Sequence, residues 1–217
     1  MLIKHRGKSP TIDPSAYIAP TATIVGDVTI RKGARILYGA IINAEGSRIE
    51  IGEGSIVLEN AVLRATDAGN REHPVILGRD VFISPHVTVL GADIRDKVFL
   101  STGVTVLHGA VVHESVVAGV GSFIHGETVI PQGVFVPPNT IAVGNPFELF
   151  GPPDKLRLLE KIESIKFPKI AYNVDDGSFS DSAGAATRVR VREFTAHFED
   201  EIISEGHMVA EDAIISG

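Results

Sequence analysis

The sequence predicts an all-β solenoid, a parallel β-helix of hexapeptide repeats followed by a C-terminal α-helix and an additional tail. Three observations carry this expectation. Aliphatic residues recur every six positions, a small or short-branched residue follows four places after each one that opens a full repeat, and glycines stand where such a chain must turn. Neither the 3.6-residue period of an amphipathic helix nor the alternation of an ordinary strand yields this pattern. A period of six rich in β-branched residues is the mark of stacked β-helix coils.

The first run is Ile12, Ile18, Ile24, Ile30, Ile36 and Ile42. The register slips and resumes at Ile51, Val57 and Leu63, then at Leu77, Ile83 and Val89. It runs again from Ile94 through Leu100, Val106, Val112, Ala118, Ile124, Ile130 and Val136 to Ala142. The companion positions, from Ala16, Ala22 and Val28 to Val134 and Thr140, number 17 and all hold small or short-branched residues. In a triangular prism three hexads make one coil: the aliphatic residue fills the interior and the small one lets the chain round the corner. Seventeen full hexads predict between five and six coils. Gly33, Gly39, Gly103, Gly109, Gly121 and Gly133 suit corners, where backbone angles are unusual.

Three breaks interrupt the period: extra residues over 43–50, a polar loop over 64–76, and one residue missing between Val89 and Ile94. Loops on a repetitive scaffold are the usual carriers of function. After Gly144-Asn145-Pro146 the period stops. Residues 1–146 are therefore read as the β-helix. Residues 147–170 are read as the segment whose helix packs on it, starting at Pro152-Pro153-Asp154 with Leu156, Leu158, Leu159, Ile162 and Ile165 as its apolar stripe. Residues 171–217 form an acidic tail, with a Ser-, Gly-, Asp- and Ala-rich linker over 173–187 and a strand-like Arg188-Val189-Arg190-Val191-Arg192.

The chain has 217 residues and a net charge of −7. The tail holds 10 acidic residues against 3 arginines, so the remainder is neutral. Neither part is basic, which argues against nucleic acid or an anionic membrane as partner. No cysteine is present, which excludes a disulfide scaffold, a thiolate nucleophile and a Cys-ligated zinc. The N-terminus offers no apolar stretch of signal-peptide length, so a cytoplasmic location is expected.

The segments Gly26-Asp27-Val28-Thr29-Ile30, Ile49-Glu50-Ile51-Gly52, His73-Pro74-Val75-Ile76-Leu77-Gly78 and Val143-Gly144-Asn145-Pro146 resemble the gamma-class carbonic anhydrases and the related hexapeptide acyltransferases. The resemblance covers roughly residues 10–166. It implies a homotrimer of left-handed β-helices with active sites between subunits. It also implies a zinc ion held by three histidines, whose open fourth position would carry the hydroxide that attacks carbon dioxide. Position by position, the first histidine falls on Arg64, the second on Pro85 beside His86, and the third on Leu90. The family's Arg-Gly-Asp triplet stands here as Asn43-Ala44-Glu45, and its Gln-Asp pair as Leu58-Glu59.

An arginine, a proline and a leucine cannot supply imidazoles to zinc, so the expected cleft is zinc-free. It centres on Asn43, Glu45, Glu59, Arg64 and His86, with Arg64 pairing Glu45 or Glu59 or holding a carboxylate or bicarbonate-like anion. Such a chain could also serve as an assembly subunit, with the acidic tail contacting another subunit or protein. Two alternatives stand beside this. One is CoA-dependent acyl transfer to a small amine or hydroxyl, for which His86, His108 and His125 are the available bases. Against it, the basic residue that usually follows the closing Gly-Asn-Pro is absent here, where Phe147-Glu148-Leu149 stand. The other is a relocated metal site, because His108 and His113 recreate the family's H-x4-H at a different corner and His125 comes about one coil after His108. No cofactor is established by these residues; zinc and acetyl-CoA are the two the alternatives call for.

Overall fold

The computed structural model describes residues 1–68 and 71–151. The chain divides into two units, Met1–Pro168 and Lys169–Gly217, and every described residue belongs to the first. The segment expected to form the C-terminal helix from Pro152 and the whole acidic tail lie outside the described residues.

The solenoid is a three-sided stack of very short parallel strands. One face carries eight: Leu2–Ile3, the first half of Thr23–Ile30, the first half of Ile41–Ile51, Val62–Arg64, Thr88–Leu90, Thr105–Val106, Phe123–Ile124 and Ile141–Gly144. The second carries seven, from Thr11–Ile12 through the far halves of the two long strands to Val129–Ile130. The third also carries seven, from Tyr17–Ile18 to Phe135–Val136. The coil count therefore exceeds the five to six expected. Coils interrupted by insertions, and those at the ends, close onto the stack although they lack a full set of regular hexads.

Side-chain alternation explains the core. On the first face Ile24, Ile42, Leu63, Val89, Val106, Ile124 and Ala142 stack at 0% exposure, each in parallel register with the next. Fully burying one such aliphatic side chain is worth about 1.5–3 kcal/mol. The small companions Ala22, Ala40, Ala61, Val87 and Val104 are equally buried at the preceding corner. At Ser55 that companion is polar, and its hydroxyl finds backbone. The Ser55 Oγ donates to the Gly78 carbonyl at 2.8 Å and accepts the Val81 N–H at 3.0 Å.

The breaks in the period all fall at one corner, between the first and second faces. The strand Ile41–Ile51 runs through it with the extra residues that the sequence placed at 43–50. The polar loop is an antiparallel hairpin, Thr66–Ala68 with Arg71–His73. The missing residue falls at Gly91, whose φ of +51° turns the chain in a shortened corner. The period ends as expected near Pro146, yet the chain turns there into an antiparallel strand, Phe147–Phe150, that pairs with Ile141–Gly144 and buries Phe150. The boundary read at residue 146 thus cuts a paired unit.

Candidate functional site

The corner between the first and second faces, called here the insertion corner, collects three residues of the predicted cleft, Asn43, Glu45 and Arg64. Asn43, Arg64 and Leu90 follow the buried Ile42, Leu63 and Val89 and are therefore turned outward. Backbone pairing sets Asn43 level with Arg64 and Arg64 level with Leu90. The positions that the resemblance assigns to the first and third zinc histidines are thus neighbouring rungs, filled by a guanidinium and an isobutyl group.

Glu45 is held to this ladder by a local turn. Its N–H donates to Asn43 Oδ1 at 3.0 Å, and Asn43 Nδ2 donates to Glu45 Oε2 at 3.4 Å. The Arg64 guanidinium lies 3.8 Å from the same carboxylate, with about half of each side chain exposed. A pair that long and that wet contributes about 0–1 kcal/mol. Arg64 is therefore only loosely committed to Glu45. A cavity of about 310 Å³ adjoins them, lined by Arg6, Glu45, Gly46, Arg64, Ala65 and Thr66.

Glu59 and His86 stand elsewhere, at the corner between the third and first faces. The His86 N–H donates to the Glu59 carbonyl at 3.1 Å, and His86 takes a φ of +60° on an exposed turn. The strand Val62–Arg64 separates them from the insertion corner. Within one chain the expected cleft is thus two clusters at opposite edges of the first face.

The histidines are distributed by the same geometry. His108 belongs to the insertion corner, one coil beyond Gly91, whose carbonyl accepts the Gly109 N–H at 2.8 Å. His113 stands at the next corner, 3.6 Å from Glu114. Five residues of a hexad span one whole face, so the H-x4-H spacing puts the two rings at different corners. Val106 pairs with Ile124, which sets His125 level with Leu107 rather than with His108; its ring lies 6.2 Å from that of Phe123. The neighbour that His108 does have is His73, at the end of the hairpin, with ring centroids 5.5 Å apart at 74°. Burial, and then the charges of His73 and Arg64, hold the His108 pKa below the ordinary histidine value. Burial does the same for His125. Both rings therefore favour the neutral form. Among the described residues, no three His, Asp or Glu side chains converge as metal ligands.

Two residues of this corner escaped the sequence analysis as site candidates. His73 stood in a segment quoted only for its resemblance, and its 4% exposure depends on the hairpin folding back. Arg6 lies in the N-terminal stretch before the period begins, so no repeat position marked it.

No protein-family model matches the chain. Gamma carbonic anhydrase 1, mitochondrial, of Arabidopsis thaliana is 30% identical over 128 residues, 58% of this chain and 46% of that protein. A carbonic anhydrase of Geobacillus kaustophilus is 29% identical over 176 residues, 75% of this chain and 85% of that protein. The chain spans about half the length of the curated Arabidopsis relatives it matches. Among solved structures, a hexapeptide transferase family protein from Anaplasma phagocytophilum superposes with a TM-score of 0.54 at 26% identity, covering 76% of this chain and 93% of that one.

Proposed function

We propose, for a chain whose homologues are gamma carbonic anhydrases and hexapeptide-repeat transferases of the left-handed β-helix fold, that the insertion corner binds a small anion through Arg64 and holds no zinc. The observation that carries this is the ladder Asn43–Arg64–Leu90. Zinc at that place needs imidazole donors, and the residues present do not fit it. A fixed guanidinium standing there, loosely paired and beside a cavity, supplies positive charge and a planar donor fork. That set suits a carboxylate or bicarbonate-like anion.

The two clusters at the edges of the first face fit a cyclic assembly. A heterologous interface joins one patch of a subunit to a different patch of the next, and rotation closes the ring. In a trimer the insertion corner of one subunit would meet the Glu59–His86 corner of its neighbour. Each site would then receive Asn43, Glu45 and Arg64 from one chain and Glu59 and His86 from another. The test is metal analysis of the purified protein together with calorimetric titration of acetate and bicarbonate. Binding that disappears in Arg64→Ala, without zinc, is expected. Stoichiometric zinc would overturn the proposal.

Acyl transfer is the second reading, favoured by the depressed pKa values of His108 and His125, since a general base must be unprotonated to act. It predicts binding of acetyl-CoA, and a calorimetric null removes it. A relocated metal site using both His108 and His113 would require two subunits, because one chain holds them at different corners.

A further inference from the structure

The third face lies apart from the insertion corner and has its own chemistry. Its seven strands stand in parallel register from Tyr17–Ile18 to Phe135–Val136. The second residue of each strand packs into the core, so the first is turned outward. This outward column runs from Tyr17 and Arg35 through Ile56 and Phe82 to Phe99, Val117 and Phe135. Tyr17, Phe99, Val117 and Phe135 keep between 37% and 57% of their surface exposed. The Phe82 and Phe99 rings stack 5.0 Å apart at 10°. The Arg35 guanidinium lies over the Tyr17 ring, 5.8 Å from its centroid. Arg35 is the one charged residue in these seven strands. The corner that leads into the face is charged instead, with Arg79 and Asp96 2.7 Å apart. An apolar centre bordered by a polar rim is the anatomy of a protein interface.

Size and charge identify the occupant. Seven rungs about 4.8 Å apart make the column roughly 29 Å long, and a hexad of strand and corner makes the face roughly 20 Å wide. Two such faces pressed together bury about 1,150 Å², above the roughly 1,000 Å² that a specific interface needs. A second copy of the chain therefore suffices as partner. Two copies packed face to face are related by a two-fold axis lying in the interface, either along the column or across it. An axis along the column sets every residue against itself, and so Arg35 against Arg35. An axis across it at the Phe82 rung reverses one column and keeps the two arginines about 19 Å apart, four rungs.

We propose that two copies of this chain pair through their third faces, antiparallel, about that second axis. Tyr17 of each copy then meets Phe135 of the other, Arg35 meets Val117, Ile56 meets Phe99, and the two Phe82 rings meet at the centre. Sliding by one rung would leave an end ring of each copy uncovered, so burial fixes the register as charge fixes the direction.

Thiol crosslinking and sedimentation velocity of the full chain over a concentration series test this. The chain has no cysteine, so an introduced thiol reports one place. Phe82→Cys is expected to join to itself through a short bis-maleimide that spans the roughly 10 Å between packed sheets, giving a two-chain product on a denaturing gel. Phe135→Cys alone should give none, whereas the double variant Tyr17→Cys with Phe135→Cys should join. Self-joining of Phe135→Cys would overturn the antiparallel arrangement. Val117→Lys sets a second cation against Arg35 of the other copy and should weaken pairing at least about tenfold more than Val117→Glu, which offers Arg35 a counter-charge. Both replace an exposed side chain, and circular dichroism melts establish that each variant is folded. Equal effects of lysine and glutamate would overturn the proposed contact. Absence of concentration-dependent pairing and of the Phe82→Cys product would overturn the pairing itself and assign the face to another segment of the chain or to a different protein.

Discussion

His73 and His108 meet edge to face across Gly91. The hairpin that carries His73 returns to the coil below it only because Gly91 has no side chain. A Cβ at that position would stand 2.5 Å from the His73 Cβ and 3.0 Å from its carbonyl oxygen. Packing, charge and the shortened corner therefore converge on one residue.

Gly91→Ala should destabilise the protein by about 2–4 kcal/mol, from overpacking added to a left-handed backbone conformation. Gly33 also has positive φ, but nothing lies within 4 Å of the Cβ it lacks. Gly33→Ala should cost only about 1 kcal/mol. Chemical denaturation of the two variants checks this; equal losses would show that the His73 contact does not constrain the corner.

The His108 pKa is lower in the folded protein than its ordinary value near 6.5. The unfolded chain then binds the proton more readily, so this contribution is complete above about pH 6.5 and declines as the pH falls through the folded value. His125 acts in the same direction. Between neutral pH and pH 5 the wild type should lose stability more steeply than His108→Gln, measured by denaturant midpoints across that range. Parallel curves would sink the idea.

Ile41 and Ile42 are adjacent in one strand, yet Ile42 is fully buried and Ile41 is 42% exposed. Ile42→Ala should cost about 2–5 kcal/mol through lost burial and a residual cavity. Ile41→Ala in the isolated chain should stay within about 0.5 kcal/mol. Thermal and denaturant unfolding distinguish them. A large cost at Ile41 that grows with protein concentration would instead mark the first face as a subunit contact.

The assembly role predicts a co-purifying partner lost when residues 171–217 are deleted, with the number of copies of this chain per particle unchanged. Light scattering and affinity purification read the two outcomes separately. Retention of the partner by the truncated chain would move the contact to the β-helix.

The solenoid was legible in the sequence because every coil repeats one physical demand, an aliphatic residue inward and a small one at the corner. Ile12 to Ile42 state it without interruption, and burial of Ile24, Ile36 and Ile42 follows from the period alone. The coil count was less legible, since regular hexads do not mark coils that contain insertions. The substitution of Arg64, Pro85 and Leu90 for ligands was also a matter of sequence, as was the separation of an acidic tail from a neutral body. Tertiary structure decided what those residues meet. Corner membership depends on how many residues each coil spends in crossing a face, so His108 and His113 part although they keep a ligand spacing. Arg6 and Arg64 share a cavity although dozens of positions separate them. His73 reaches His108 only because a hairpin outside the period folds back over a glycine. A period records local burial; contacts made by insertions and by the chain before the repeats are long-range, and they leave no periodic trace.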